Sequence, residues 1–503
     1  MKNKIMTAQE AVNLIKDEDT VVCDGFLMTN TPEEILEALG KRFAKEHHPQ
    51  KLDVWFPCGV GNYQGKGLDH LAQKGMLSRV VGSHWGSMPK LQKMVNNNDI
   101  EAYCLPQGVI IQMMRDSATQ KPITISKIGL DTFVDYTQAG GALNTMSLLV
   151  KSAKDASKQL VHRVEINGQT YLAYQTPKPD VALITGGTAD ENGNISFENK
   201  DIFLTSVILA FAVHGNGGKV IVQVKKAVKN GTLDPKQVKL PSAIVDYVVV
   251  ESSNEAVQTL QKQAKIKPLP EIVLAAAKQA VKFLDQDDKI LNLGIGKYPE
   301  AVGQVLKDSG QDFMTTLESG VFGGDVQTGG AFGTAIGAQA IVDNGYMFDF
   351  YDGKGLDATL LGLAEVDQNG NVNVSKFGKS IAGCGGFIDI TQNTPKVIFI
   401  GSFTAGGLKE EIQNGRLQIL QEGKIRKFVK NVQQITFSGH FARKNKQEVY
   451  FVTERAIFQL TDKGLKLLSY ASGVDLKRDV LNQMDFMPII AKDVKRYKLK
   501  GEE

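Results

Sequence analysis

Asp180-Val-Ala-Leu-Ile-Thr-Gly-Gly-Thr-Ala-Asp-Glu-Asn-Gly-Asn-Ile195 returns later in the chain as Asp357-Ala-Thr-Leu-Leu-Gly-Leu-Ala-Glu-Val-Asp-Gln-Asn-Gly-Asn-Val372. Both stretches read as an aspartate, an apolar strand and a D-x-N-G-N turn, with the second aspartate ten residues after the first. Asn-Gly is the strongest short signal for a tight hairpin. One such hairpin means little, but two with matched aspartates and spacing point to a duplicated design.

Outward from this repeat the chain keeps its symmetry. Thr7-Ala-Gln-Glu10 is a capping box that opens a helix. The strand Thr20–Cys23 follows, then the turn Asp24-Gly25-Phe26, and Thr31-Pro32-Glu33-Glu34 caps a second helix. The second half repeats the plan. It has a helix from Glu271 to about Leu284, the strand Lys289–Leu293, the loop Gly294-Ile-Gly-Lys-Tyr298 and a helix opening at Pro299-Glu300. Val220–Val224, Val245–Val250 and Val397–Ile400 are further strands. Strand, glycine turn and helix in sequence form a βα unit, which predicts an α/β fold of two similar domains, each a largely parallel sheet flanked by helices. The polar, basic stretch Gln261–Pro270 divides them, with residues 1–262 as the first domain, 263–270 as linker and 271–503 as the second.

At 503 residues two cores are expected. The net charge of +3 gives no footprint for nucleic acid, and the longest apolar run, Phe203–Val213, is too short to span a bilayer. Four separated cysteines without CxxC suggest neither a disulfide framework nor a zinc site. The expectation is a cytoplasmic protein with no metal. Fifty glycines exceed the roughly 7% of an average chain. They cluster at Gly294/Gly296, Gly320/Gly323/Gly324, Gly329/Gly330/Gly333 and Gly383/Gly385/Gly386. Backbone freed of side chains lets a ligand approach closely, so a binding protein or enzyme is expected.

Three segments hold candidate chemistry. Glu318 ends the β-prone run Thr315-Thr-Leu and precedes Ser319-Gly320, at the kind of strand end where open α/β sheets place ligands. Gly383-Cys-Gly385-Gly386 can present bare N–H groups to an anion or oxyanion. Gln107, between Pro106 and Gly108, can aim an amide donor from a rigid turn. The loop Gly294, Ile295, Gly296, Lys297 feeds a helix N-terminus as phosphate-cradling turns do, but lacks a third glycine and a Walker lysine–serine pair. Among seven histidines, His84 in Gly82-Ser-His-Trp-Gly86 is the one of interest, although a packed structural role fits it as well.

Together these segments resemble the family I CoA transferases of the single-chain propionate/acetate type, in which alpha-type and beta-type halves are fused. The resemblance runs through Asp24-Gly-Phe26, Gly82–Gly86, Leu105-Pro-Gln-Gly108, Gly129–Phe133, Gly140-Gly141 and Asn144 in the first half. It continues through Leu293–Gly296, Glu318-Ser-Gly320, Asn371–Lys376, Gly383–Gly386, Gln433–Gly439, Thr453-Glu-Arg455 and Gly473–Leu476. It implies the CoA-transferase/NagB-like fold and a reaction that moves coenzyme A between a short-chain acyl-CoA and a free carboxylate through a glutamyl-CoA thioester. It implies Glu318 as nucleophile, Gln107 as oxyanion-hole side chain and Gly386 (or Gly385) as oxyanion-hole amide. The loop Gly294–Lys297, with Gly383 and Gly385, becomes part of the CoA-binding wall. CoA is then a cosubstrate, with no permanently bound cofactor, and a homodimer or homotetramer is expected. Two departures stand out: Asp24 and Asn30 occupy positions where the family carries glycine. Asn30 suits a left-handed backbone, whereas Asp24 implies a changed first-half contribution to the acyl pocket. An acyl-CoA hydrolase on the same scaffold and a non-catalytic CoA-ester sensor are the alternatives.

Overall fold

A computed structural model describes residues 4–152, 159–198, 200–252, 268–327 and 333–499. The expected linker residues 263–267 and the pair Gly329/Gly330 lie outside these.

The repeated aspartate has the same task in both halves. Asp180 Oδ2 accepts the Thr20 N–H at 2.8 Å, at the head of strand Thr20–Cys23. Asp357 Oδ2 accepts the N–H groups of Lys289 and Ile290 at 2.9 and 2.8 Å, at the head of strand Ile290–Leu293. Ten residues on, Asp190 Oδ1 accepts from Asn192 and Asn194 N–H, and its Oδ2 takes the Asn194 side-chain amide. Asp367 makes the same three bonds with Asn369 and Asn371. Gly193 and Gly370 sit at φ of 88° and 75°, where a side chain would be strained.

The sheets built around these clips share one topology. In the first half, Tyr247–Val250, Lys219–Val224, Val181–Thr185, Thr20–Cys23 and Leu52–Phe56 lie side by side in that order, all parallel. Ile5–Met6 extends one edge, and Leu77–Gly82 and Glu101–Cys104 the other, so the eight strands are parallel throughout. In the second half, Glu448–Thr453, Lys396–Gly401, Ala358–Gly362, Ile290–Leu293 and Met314–Leu317 repeat the order. Among the described residues the second sheet has ten strands, and antiparallel pairings surround its parallel centre: Val321–Phe322 beyond Met314–Leu317, and Ala456–Thr461 beyond Glu448–Thr453. Val181–Thr185 and Lys396–Gly401 are buried along their whole length, on both faces, which explains why these strands read as continuous apolar runs rather than alternating ones.

Two boundaries differ from the sequence reading. Thr31 does not cap the second helix. Its hydroxyl donates to the Leu27 carbonyl at 2.9 Å, and Pro32 is the N-cap of Glu33–Glu46. The helix after the glycine loop runs Lys297–Asp308, so Lys297 and Tyr298 form its first turn instead of closing a loop. The Thr7–Glu10 capping box is present as expected, on a helix of five residues.

The halves meet along helix Gln107–Ala118, which packs against Ser206–Gly215 of its own half and Asn344–Asp352 of the other. No helix among the described residues is long and apolar enough to cross a membrane.

Candidate active site

Strand Met314–Leu317 delivers Glu318 to the carboxyl edge of the second sheet. There its carboxyl accepts the Gly386 N–H. Burial raises the Glu318 pKa to about 7, against the opposing pull of that hydrogen bond. The residue is enclosed but keeps a partly open face.

Gly386 is needed for space rather than conformation. A Cβ there would lie 2.9 Å from Glu318 Cδ and 2.8 Å from the Phe348 ring. Its backbone is in an ordinary region, with φ −87°. Gly385, by contrast, lies at φ 50°.

Gln107 reaches the same place from the first half. It is fully buried, opens helix Gln107–Ala118, and donates its backbone N–H to the Gly385 carbonyl at 3.0 Å. Its Nε2 donates to Asn344 Oδ1 at 3.4 Å, and Asn344 Nδ2 donates to the Glu318 carbonyl. Asn344 therefore ties the two candidate catalytic segments together. In the sequence it sits in Asp343-Asn344-Gly345 and reads as a turn, so nothing marked it.

The glycine loop is braced from across the halves. Trp85 and Gly86 N–H donate to the Ala382 carbonyl at 2.8 and 3.1 Å, and Gly385 N–H donates to the Ser83 carbonyl at 3.0 Å. Gly383 pairs with His84 at φ 82°, and a Cβ there would strike the Ser83 carbonyl at 2.3 Å. The Gly82–Gly86 motif is thus a support for the loop. Burial lowers the His84 pKa to about 4, so the ring is neutral at pH 7. Two cysteines that lie 280 residues apart also meet here. Cys104 and Cys384 have free thiols with sulfurs 3.5 Å apart, donating to the Ser83 and Leu105 carbonyls.

The loop Gly294–Lys297 leaves the sheet beside Glu318. Asn292 is in register with Thr316 in the neighbouring parallel strand, so the two chains exit at one edge. Ile295 is 64% exposed, and Gly296 is the N-cap at φ 112°. Behind it Lys427 donates from Nζ to the Leu363 carbonyl at 2.9 Å and Ser402 Oγ at 3.3 Å. Burial lowers the Lys427 pKa to about 8, and Lys297 adds to this effect. Lys427 lies in a basic stretch, Lys424–Lys430, that drew no attention in the sequence.

Asn30 takes the left-handed backbone expected of it, with φ 55°. Asp24 is 2% exposed, and its carboxylate accepts from Gly25 N–H, Thr205 N–H, Thr205 Oγ1 and Ser206 Oγ. It fastens the start of helix Ser206–Gly215.

A family model for coenzyme A transferase matches residues 5–251. The acetate CoA-transferase YdiF of Escherichia coli K12 is 39% identical, over 98% of this chain and 93% of its own. The chain belongs to the coenzyme A transferase family. The caffeate CoA-transferase of Acetobacterium woodii is equally similar, at 39% identity over 98% of this chain and 96% of its own. A crystal structure of an acyl-CoA transferase from Escherichia coli O157:H7, described as a thioester complex with CoA, superposes with a TM-score of 0.90. It shares 37% identity and covers 99% of this transferase, which covers 96% of that chain. The alpha subunit of an Escherichia coli acetate CoA-transferase aligns along its full length with only 51% of the transferase, at 23% identity. The reaction is transfer of coenzyme A from an acyl-CoA to a carboxylate, with coenzyme A as cosubstrate.

Proposed function

We propose that the transferase works by covalent catalysis on Glu318 and exchanges coenzyme A among short-chain acids of the acetate, propionate, butyrate and acetoacetate class. The observation that carries this reading is the buried Glu318 carboxyl, raised to about 7 and held against the Gly386 N–H. A more basic carboxylate is a better nucleophile, and about half is ionised near neutral pH.

In the proposed cycle Glu318 attacks the acyl-CoA carbonyl. The thiolate of CoA leaves, and an acyl-glutamyl anhydride forms. The thiolate then attacks the glutamyl carbonyl, expels the acid as its carboxylate and leaves a glutamyl-CoA thioester. An incoming carboxylate reverses these steps. Each tetrahedral oxyanion needs donors, and Gln107 Nε2 and the Gly386 N–H are assigned to it. One such donor contributes about 3–4 kcal/mol. Gly294, Ile295, Gly296, Lys297, Gly383 and Gly385 are assigned to the CoA wall.

The remaining parts of the reading concern the whole chain. Residues 1–262 and 271–503 are taken as two domains joined by 263–270. A homodimer or homotetramer is the assembly assigned to the chain. Four free thiols suit a cytoplasmic enzyme.

Two assays test the function. Glu318→Ala is expected to abolish transfer, and full activity in that variant contradicts the mechanism. Consumption of acyl-CoA beyond the one equivalent held on the enzyme is expected to require an acceptor acid; continued turnover in water alone identifies a hydrolase instead.

A further inference from the structure

Asp389 is fully buried in the first turn of helix Phe387–Asn393, which begins at Gly386. Its carboxyl presses on Gly108, the residue after Gln107. A Cβ on Gly108 would lie 2.4 Å from Asp389 Oδ1 and 2.8 Å from the Phe348 ring. On another side Gly108 borders a cavity of about 260 Å³, lined also by Gln112, Gly345 and Asp352. Gly108 is thus held between Asp389 and Phe348, with empty space beside it.

Polar accounting makes the arrangement unusual. Among the described residues no hydrogen bond of good geometry reaches Gln107 Oε1 or either Asp389 oxygen, although the backbone N–H groups of Gly108 and Asp389 face that carboxyl. A buried ionised carboxylate in that state is very costly. Burial, with Asp352 and Glu318 nearby, holds the Asp389 pKa well above the ordinary carboxyl range and so favours its protonated form. Among the described residues Asp389 makes no ion pair, and it stands between the two segments that supply the assigned oxyanion donors.

We propose that Asp389 is a positioning residue that sets the Gln107 amide in register with the Gly386 N–H by bracing Gly108. This inference rests on the reading of Gln107 and Gly386 as oxyanion donors. A carboxyl group has the shape to fill the space against a residue without a side chain, and its proton removes the cost of a buried charge. Because Asp389 shares a short helix with Gly386, a shift on one side of the donor pair is felt on the other.

The test uses Asp389→Asn and Asp389→Ala in the full-length protein, with kcat, KM for acyl-CoA and thermal midpoint measured. Asparagine keeps shape and neutrality, so kcat should stay within about threefold of the parent, whereas alanine should lower it about 10- to 100-fold through misplacement of the donor. KM for acyl-CoA should hardly change. If Asp389→Ala keeps kcat, if Asn and Ala fall equally, or if KM carries the loss, the inference fails. Should Asp389→Ala not fold, Gly108→Ala pushes the carboxyl back without removing it and should show the same kcat-selective loss; unchanged kcat there overturns the idea. The rate of CoA attachment to Glu318 separates this inference from the reading beneath it. No attachment in the parent protein removes the Glu318 mechanism, while equal rates in parent and Asp389→Ala remove only the role of Asp389.

Discussion

Glu318 binds its proton more tightly in the folded state than in the unfolded chain, with a pKa of about 7 against 4.5. Below about pH 4.5 the group is neutral in both states and contributes nothing to the pH dependence. As pH rises toward 7 the unfolded chain gains a free carboxylate while the folded one must bury it, and the penalty is complete above 7. Glu318→Gln is therefore expected to be more stable than the parent above pH 7, by up to about 3 kcal/mol, with the ionisation part of the gain vanishing near pH 4.5. Urea unfolding at several pH values measures this, and a gain independent of pH contradicts it. The same ionisation predicts that kcat/KM rises with pH through about 7. At this scale the sequence was informative about residue type and poor on partners. Glu318, Gln107 and Gly386 could be singled out because each lies within two residues of a glycine or proline. Asn344, Asp389 and Lys427 could not, because their importance comes from contacts with residues up to 281 positions away, such as Asp389 with Gly108. Asp24 was legible as an odd residue, but only the structure pairs it with Thr205 and Ser206.

Among the elements, the aspartate at the head of each repeat is a device that joins two neighbouring parallel strands. Asp357 accepts two backbone N–H groups and Asp180 one. Hydrogen bonds to a charged acceptor contribute about 1.5–3 kcal/mol each at most, and less where water reaches them. Asp357→Ala is expected to destabilise by about 1–3 kcal/mol and Asp180→Ala by roughly half as much, with kcat unchanged because both lie at the strand ends opposite the site. Urea midpoints decide the order; a larger loss at Asp180 contradicts it. The repeat itself was fully legible, since D-x-N-G-N encodes its own hydrogen bonds within five residues. The antiparallel strands around the second sheet were not. Strands as short as Val321–Phe322 carry too few residues to show a period.

For the whole molecule, the site is assembled from both halves. Glu318 and Gly386 come from one, Gln107 and the Ser83–Gly86 brace from the other, and Gln392 clamps Gly129 N–H and the Leu130 carbonyl at 2.7 and 2.8 Å. Residues 1–262 and 271–503 expressed as separate chains are expected to regain transfer when combined and to have none alone. Activity in the second fragment by itself contradicts a shared site. The central claim is a covalent bond to one side chain, and mass spectrometry tests it most directly. After incubation with acyl-CoA and no acceptor, then trapping with hydroxylamine or borohydride, the modified residue is read from the peptide spanning Glu318. Modification at Glu318 and nowhere else is the expected result; an unmodified peptide in protein that turns over acyl-CoA in the presence of acceptor would contradict the account.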